Sequence, residues 1–388
     1  MPWKEATKME LKLEFVQLAD QPEANMSQLC ARFGISRPTG YKWLRRWCAE
    51  GREGLQELSR QPHHCPHQTS EQMEQAIVEA RSEHPCWGGR KLADLLGQWA
   101  EQGRLQIDEK IPAPSTITTV LERRGLLDPP ESPKRQGPWK RFELEAPNLL
   151  WQMDFKGEIQ LVNGQWCYPL TIIDDHSRFC LAVKACPDQR RQTVKSHLEA
   201  VFGRYGLPRT LLCDNGAPWG SPIRDSEDQP YYTTLAAWLM QLGVNIRYSG
   251  PGHPQTHGKN ERFNRTLNDE LLQFAPLQDY RHAQQRMETW RNEYNTMRPH
   301  ESLDMQKPTS RYQPSNRALP PSLPPINYGE GQEVRKVSSK GIISFKGHSF
   351  RVGKAFTGYP VAVRASSNRH EYHVYFCHQH IRTITLNK

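Results

Sequence analysis

Apolar residues recur along this chain with two different periods, and the switches between them mark its parts. From Glu5 to Ala19 the spacing of Leu11, Phe15, Val16 and Leu18 is helical, and Met26–Phe33 continues as a short helix. Gly34-Ile35-Ser36 then forms a tight turn, where Ser36 caps the next helix and Pro38 suits its first turn. That helix runs from about Arg37 to Cys48 and is expected to pack Tyr41, Leu44 and Trp47. Helix, glycine-containing turn, helix is the helix-turn-helix arrangement. Ser70–Glu83, Arg90–Gln102 and a helix from Ser115 to Arg124 suggest a second unit of that kind, interrupted by Gly88-Gly89, Pro112 and Pro114.

The period changes at Asn148. Leu149–Phe155, Trp166–Ile173 and Arg178–Ala185 read as a three-strand meander, followed by a helix from Gln192 to Tyr205. A short strand at Thr210–Cys213, a helix at Thr233–Leu242 and a strand at Val244–Tyr248 complete an α/β pattern with a mixed sheet. After Pro314, Pro320, Pro321, Pro324 and Pro325 come short strands at turn-marked spacing, beginning with Glu333–Val337 and ending with Ile381–Leu386. They predict a small all-β barrel or sandwich.

Charge separates these regions further. Of the net +9, residues 313–388 carry 11 basic and 3 acidic side chains, while residues 1–140 carry 20 and 19. A small basic β domain is a phosphate-backbone footprint, with Arg335, Lys336, Lys340, Lys346, Arg351, Lys354, Arg364 and Arg369 as contacts, or else a dimerisation module. The first helix-turn-helix offers Arg37, Thr39, Lys42, Arg45 and Arg46 to DNA, and the second offers Arg123 and Arg124. Leu127–Pro147 is a basic, proline-rich linker. The nine cysteines include no CxxC pair, so reduced thiols are expected, and His63, His64, Cys65 and His67 lack the second ligand pair of a zinc finger. No run of apolar residues is long enough to span a membrane, and the first residues have no apolar signal core.

Candidate chemistry gathers around Gly250–Leu267, GPGHPQTHGKNERFNRTL, where a loop gives way to a helix with Glu261 in its first turn. A carboxylate there is comfortable by the helix dipole alone. The alternative is a metal ligand, because Asp154 lies in the first strand and Asp214 ends the fourth. If those strands are neighbours, the aspartates face one another and Glu261 completes a set of hard oxygen donors suited to Mg²⁺ or Mn²⁺. Asp174 and Asp175, at the end of the second strand, are the rival carboxylates.

WQMDF around Asp154, LLCDNG around Asp214 and HPQTHGKNERFNRTL around Glu261 resemble, in order, the three blocks of the DDE integrase core, and the nearest look-alikes are bacterial insertion-sequence transposases. Trp290–Tyr312 looks like the end of that core. The resemblance implies a multidomain chain: an all-α helix-turn-helix region, an α/β ribonuclease-H-like catalytic core and a small all-β barrel. Its boundaries are expected at 1–60 and 68–127 for the helical units, 128–147 for the basic linker, 148–312 for the core, 313–329 for a proline-rich linker and 330–388 for the barrel. It implies Asp154, Asp214 and Glu261 as catalytic metal ligands for two Mg²⁺ or Mn²⁺ ions, with Lys259 and Asn260 near enough to position DNA phosphates. The partners implied are double-stranded DNA, as element ends and as target, and further copies of the chain. A cytoplasmic, nucleoid-associated bacterial protein is implied, with no membrane and no small-molecule substrate.

Overall fold

The computed structural model describes residues 7–57, 69–106, 109–127, 143–220, 231–249, 258–274, 276–368 and 370–386. The His63–His67 group, most of the basic linker, the loop 250–257 and Arg369 lie outside the described residues. The chain divides into two compact units, Met1–Gln68 and Thr69–Lys388.

The first unit holds α1 (Lys8–Ala19), α2 (Met26–Arg32) and α3 (Arg37–Glu50). Thr7 and Glu10 close a reciprocal capping box on α1, Asn25 caps α2, and Ser36 caps α3 by accepting from Thr39 N. Phe15, Val16, Cys30, Trp43 and Leu55 form the core. The expected inward position of Tyr41 is corrected: it is 44% exposed, and Trp43 is buried in its place. Gly40 sets this phase, because a Cβ there would stand 2.6 Å from Cys30 Sγ and 2.9 Å from Phe15 Cζ. The bare glycine face lets α3 lie against α1 and α2 and turns Tyr41 toward solvent.

The second unit begins with α4 (Glu71–Glu83), α5 (Gly89–Glu101) and α6 (Pro114–Arg123), packed around Ile77, Leu92, Leu95, Leu96, Trp99 and Ile117. A mixed sheet follows, built from β1 (Leu150–Phe155), β2 (Ile159–Gln160), β3 (Trp166–Asp174), β4 (Cys180–Cys186), β5 (Thr210–Cys213) and β6 (Asn245–Tyr248). Its order is β2-β3-β1-β5-β6, with β4 also on β3. The meander β1, β3, β4 is antiparallel, whereas β1, β5 and β6 are parallel neighbours. Two crossover helices, α7 (Arg191–Tyr205) and α8 (Thr234–Gln241), bury Leu198, Phe202, Leu235 and Leu239 with Trp151, Leu170 and Leu211 of the sheet. Beyond β6 lie α9 (Gly258–Leu267), a π-helical turn (Asn268–Leu272), α10 (Tyr280–Thr296) and α11 (Pro308–Arg311). Phe263, Leu267 and Leu271 form an apolar stripe that packs with Trp290, Tyr294, Ile173 and Val183.

The C-terminal strands are β7 (Glu333–Lys336), β8 (Ile342–Phe345), β9 (His348–Arg351), β10 (Pro360–Ala365), β11 (Glu371–Phe376) and β12 (Gln379–Thr385). They form an open four-stranded sheet, β12-β11-β10-β7, and a separate β8-β9 hairpin. The expected barrel is therefore corrected, since the strands do not close into one sheet. Closure is unnecessary for burial here, because Phe356, Val361, Val374 and Phe376 join the same apolar cluster as Trp238, Val244 and Ile246 of the mixed sheet. Gln379 also meets the backbone of β6 as a strand would, accepting from Ile246 N and donating to Ile246 O at 3.0 Å each. The proline-rich segment before these strands is pinned: Ser315 N donates to Tyr205 O, and the Arg317 guanidinium donates to the carbonyls of Pro208 and Gly243.

Candidate active site

β1 and β5 are hydrogen-bonded parallel neighbours, with Gln152 opposite Leu212. Carried two residues on, that register puts Asp154 and Asp214 level at the C-terminal ends of the two strands. Glycine and asparagine shape the turn after β5: Asp214 Oδ1 accepts from Gly216 N at 2.9 Å, and Asn215 Nδ2 donates to Ser249 O at the end of β6. Asp214 and Glu261 are exposed, while Asp154 is half-buried. Burial, and then the negative charges of Asp214 and Glu261, push Asp154 up to about 6. The three carboxylates thus share one electrostatic environment. Among the described residues no three His, Cys, Asp or Glu side chains stand close enough together to hold a metal ion.

Helix α9 is fastened beneath this site by Asn264 and Thr171, which the sequence did not single out, and by Asn260 and Lys259, which it did. Asn264 Nδ2 donates to Asp154 Oδ2 at 3.2 Å, and Thr171 Oγ1 on β3 lies 3.2 Å from Asn264 Oδ1 and 3.0 Å from the Asp154 carbonyl oxygen. Asn264 stands one helical turn after Glu261, and that i, i+3 spacing is the signal that could have found it. Asn260 is wholly buried, with Oδ1 3.5 Å from the same Thr171 hydroxyl. Lys259 Nζ donates to Asp175 Oδ2 at 2.6 Å and to the Asp175 carbonyl at 3.2 Å. Lys259 and Asn260, expected beside DNA phosphates, are therefore placed in the protein's own framework.

The rival carboxylates are occupied by donors. Asp174 accepts from Asn148 N, Ser177 N and Ser177 Oγ, and Asp175 also accepts from Gln152 Nε2 and Leu144 N. Both are fully buried at the base of the sheet.

The DNA-facing candidates divide. Arg37, Lys42 and Arg45 are exposed on α3 beside Tyr41, Thr39 is half-buried against Ser36, and Arg46 donates to Gln56 O. Arg123 and Arg124 instead both donate to Glu74, whose side chain is 7% exposed. In the C-terminal region Lys340 and Lys346, in the turns before and after β8, and Arg351, at the end of β9, are exposed; Lys346 donates to Tyr372 Oη at 2.6 Å, and Arg351 lies over the Tyr231 ring. Among the described residues no helix is long and apolar enough to cross a membrane.

Known proteins share these parts. Residues 145–254 and 242–308 match two families, each described as an integrase core domain, and residues 332–388 match the C-terminal domain of IS481 family transposases. Residues 11–63 match a helix-turn-helix domain and residues 39–121 a homeodomain-like domain. Fold and matches together define an integrase-core protein with helix-turn-helix domains ahead of the core. More particularly, the chain is similar to proteins of bacterial insertion elements and, at its C-terminal end, to IS481 family transposases. The uncharacterized 39.2 kDa protein of insertion element IS476 from Xanthomonas euvesicatoria is 26% identical over 263 residues, which are 63% of this chain and 67% of that protein. The uncharacterized 31.7 kDa protein of insertion element IS407 from Burkholderia multivorans is 27% identical over 164 residues, 42% of this chain and 55% of that one. Among solved structures, the simian T-cell lymphotropic virus intasome in complex with PP2A regulatory subunit B56 gamma aligns with a TM-score of 0.37 at 14% identity, covering 70% of this chain and 95% of that chain.

Proposed function

We propose that this chain is a DNA transposase that binds the terminal inverted repeats of its element, hydrolyses a phosphodiester at each end and joins the freed 3′-hydroxyl to target DNA. The observation that carries this is the pairing of β1 with β5, which sets Asp154 level with Asp214 while the charge of Glu261 also acts on Asp154. Residues 148–312 would perform the chemistry, residues 1–60 would read the repeats through α3, and residues 330–388 would hold the phosphate backbone. A homo-oligomer would pair two DNA ends.

Asp154, Asp214 and Glu261 would hold one or two Mg²⁺ or Mn²⁺ ions. The donor set fits them in its chemistry: it is all carboxylate oxygen, with no imidazole or thiolate, and burial together with the charges of Asp214 and Glu261 raises Asp154. When bound, such ions activate an attacking oxygen and stabilise a leaving one. The chain's own part is positioning. Asn264 holds the Asp154 carboxylate, the Gly216 amide holds that of Asp214, and the Lys259–Asp175 pair fixes the first turn of the helix that carries Glu261. In hydrolysis the water oxygen bonds to phosphorus as the P–O3′ bond breaks, releasing the 3′-hydroxyl of the element. In joining, that hydroxyl attacks a target phosphorus and a target P–O3′ bond breaks. Each step exchanges one ester for another or for water, so no high-energy cofactor is required.

The test supplies full chain with a pre-cut element end, target plasmid and Mg²⁺. Strand-joined products are expected. Cleavage without joining would make the protein a nuclease on this fold, and a mobility shift without reaction would make it a DNA-binding module.

A further inference from the structure

Helix α9 does not end freely. It runs into the π-turn Asn268–Leu272, in which Gln273 N donates to Asn268 O at 3.1 Å. Such turns are energetically second-best and persist where surrounding contacts hold them. Here the contacts converge on Glu270. Arg298 Nε lies 2.9 Å and 3.1 Å from its two carboxylate oxygens, and Lys91 Nζ, from the first turn of α5, lies 3.9 Å away. The three side chains are 11%, 8% and 17% exposed in the order Glu270, Arg298, Lys91, so water screens them little. Alongside, Cys86 Sγ lies 3.1 Å from the Asp269 carbonyl, and Gln98 Nε2 donates to Met297 O at 3.4 Å. Helices α4–α6 are thereby seated on the far end of the helix that carries Glu261. Of their other cations, Arg90 also reaches out of the unit, 3.9 Å from Glu301, whereas Arg123 and Arg124 are engaged with Glu74, Arg104 with Glu79 and Glu83, and Arg81 with the carbonyls of Trp87 and Leu126.

We propose that residues 69–127 act in the reaction as a positioning element: Lys91, through Glu270 and Arg298, fixes the rotation of α9 and so the place of Glu261. This rests on Glu261 being a metal ligand. Glu261 and Glu270 are nine residues apart, two and a half turns of one continuous rod. A change in the grip on Glu270 is transmitted as rotation rather than absorbed by a loop.

The experiment uses full chain with Lys91→Met and Lys91→Arg. It follows three quantities: hydrogen exchange of residues 258–274, the Mg²⁺ concentration giving half-maximal joining, and affinity for an element end. Lys91→Met is expected to speed exchange in 258–274 and to raise the Mg²⁺ requirement about tenfold, with end affinity within about twofold of wild type. Lys91→Arg is expected to restore both. Loss of end affinity with unchanged exchange and Mg²⁺ requirement would overturn the proposal and make Lys91 a DNA contact. If Lys91→Met does not fold, Gln98→Ala tests the same seam, with faster exchange in 258–274 expected and unchanged exchange contradicting it. The exchange arm needs no activity, so it decides the positioning role even if wild type joins no DNA, an outcome that would instead sink the proposed function.

Discussion

Helices α3 and α6 are built alike. Each has a proline in its first turn, and each carries a pair of arginines, Arg45–Arg46 and Arg123–Arg124. Their surroundings differ. On α3 the side chains of Lys42 and Arg45 are exposed beside an exposed Tyr41, a surface of cations and one aromatic. At the end of α6 both arginines close on a single buried carboxylate supplied by α4. A cation engaged by a buried anion stabilises the fold, whereas one left in water is available to a phosphate. Lys259 belongs with α6 in this respect, because Asp175 is fully buried and accepts from it.

The largest expected effect comes from that third case. Lys259→Met should lower stability by about 3–5 kcal/mol in urea melts, because it takes from the buried Asp175 its charged donor and leaves only the neutral donors Gln152 and Leu144 N. A loss of DNA affinity at unchanged stability would move Lys259 into the same class as Lys42.

A buried neutral group extends the comparison to pH. Burial first, and then the positive charges of Arg298 and Lys91, hold His300 down to about 2. Its folded value lies below its ordinary 6.5, so the unfolded chain takes up the proton first as pH falls. Its contribution is complete above pH 6.5 and is lost progressively between 6.5 and about 2. At pH 5 the loss should be about 2 kcal/mol relative to pH 7, and His300→Gln should remove that part of the acid sensitivity. Equal pH profiles for wild type and variant would show that His300 takes up its proton alike in the folded and unfolded chain, against this account.

Glu74→Ala should cost about 1–2 kcal/mol, less than a fully buried pair, since its two arginines are about half exposed. Freed arginines that then strengthen binding to nonspecific DNA would sharpen the contrast between α6 and α3. Smallest in stability is Lys42→Ala, within about 0.5 kcal/mol of wild type, with weaker DNA binding and a salt slope shallower by about one. An unchanged affinity and slope would break the contrast by removing α3 from the interface.

The mixed sheet was legible because its chemistry is local. Hydrophobic runs ending in Asp154 and Asp214 specify strands whose ends carry carboxylates, and the Phe263, Leu267, Leu271 stripe specifies the helix behind Glu261. The phase of α3 was not legible, because Tyr41 and Trp43 fit a helical stripe about equally well until Gly40 is seen against Cys30. The engagement of Arg123 and Arg124 was hidden for another reason: Glu74 lies about fifty positions away, and only tertiary packing brings it to them. Still longer separations concealed Lys259 with Asp175 and Glu270 with Lys91. The open C-terminal sheet escaped notice because alternating strands predict a buried face without saying what covers it, and here the mixed sheet supplies part of the cover.

The central claim is that Asp154, Asp214 and Glu261 act as one metal site. Its most direct test is single-turnover joining of a pre-cut element end by Glu261→Gln, with end binding measured on the same preparation. The substitution keeps the size and exposure of the side chain and removes its charge. Joining should fall by about a thousandfold or more while binding stays within about twofold. Joining at the wild-type rate would contradict the assignment.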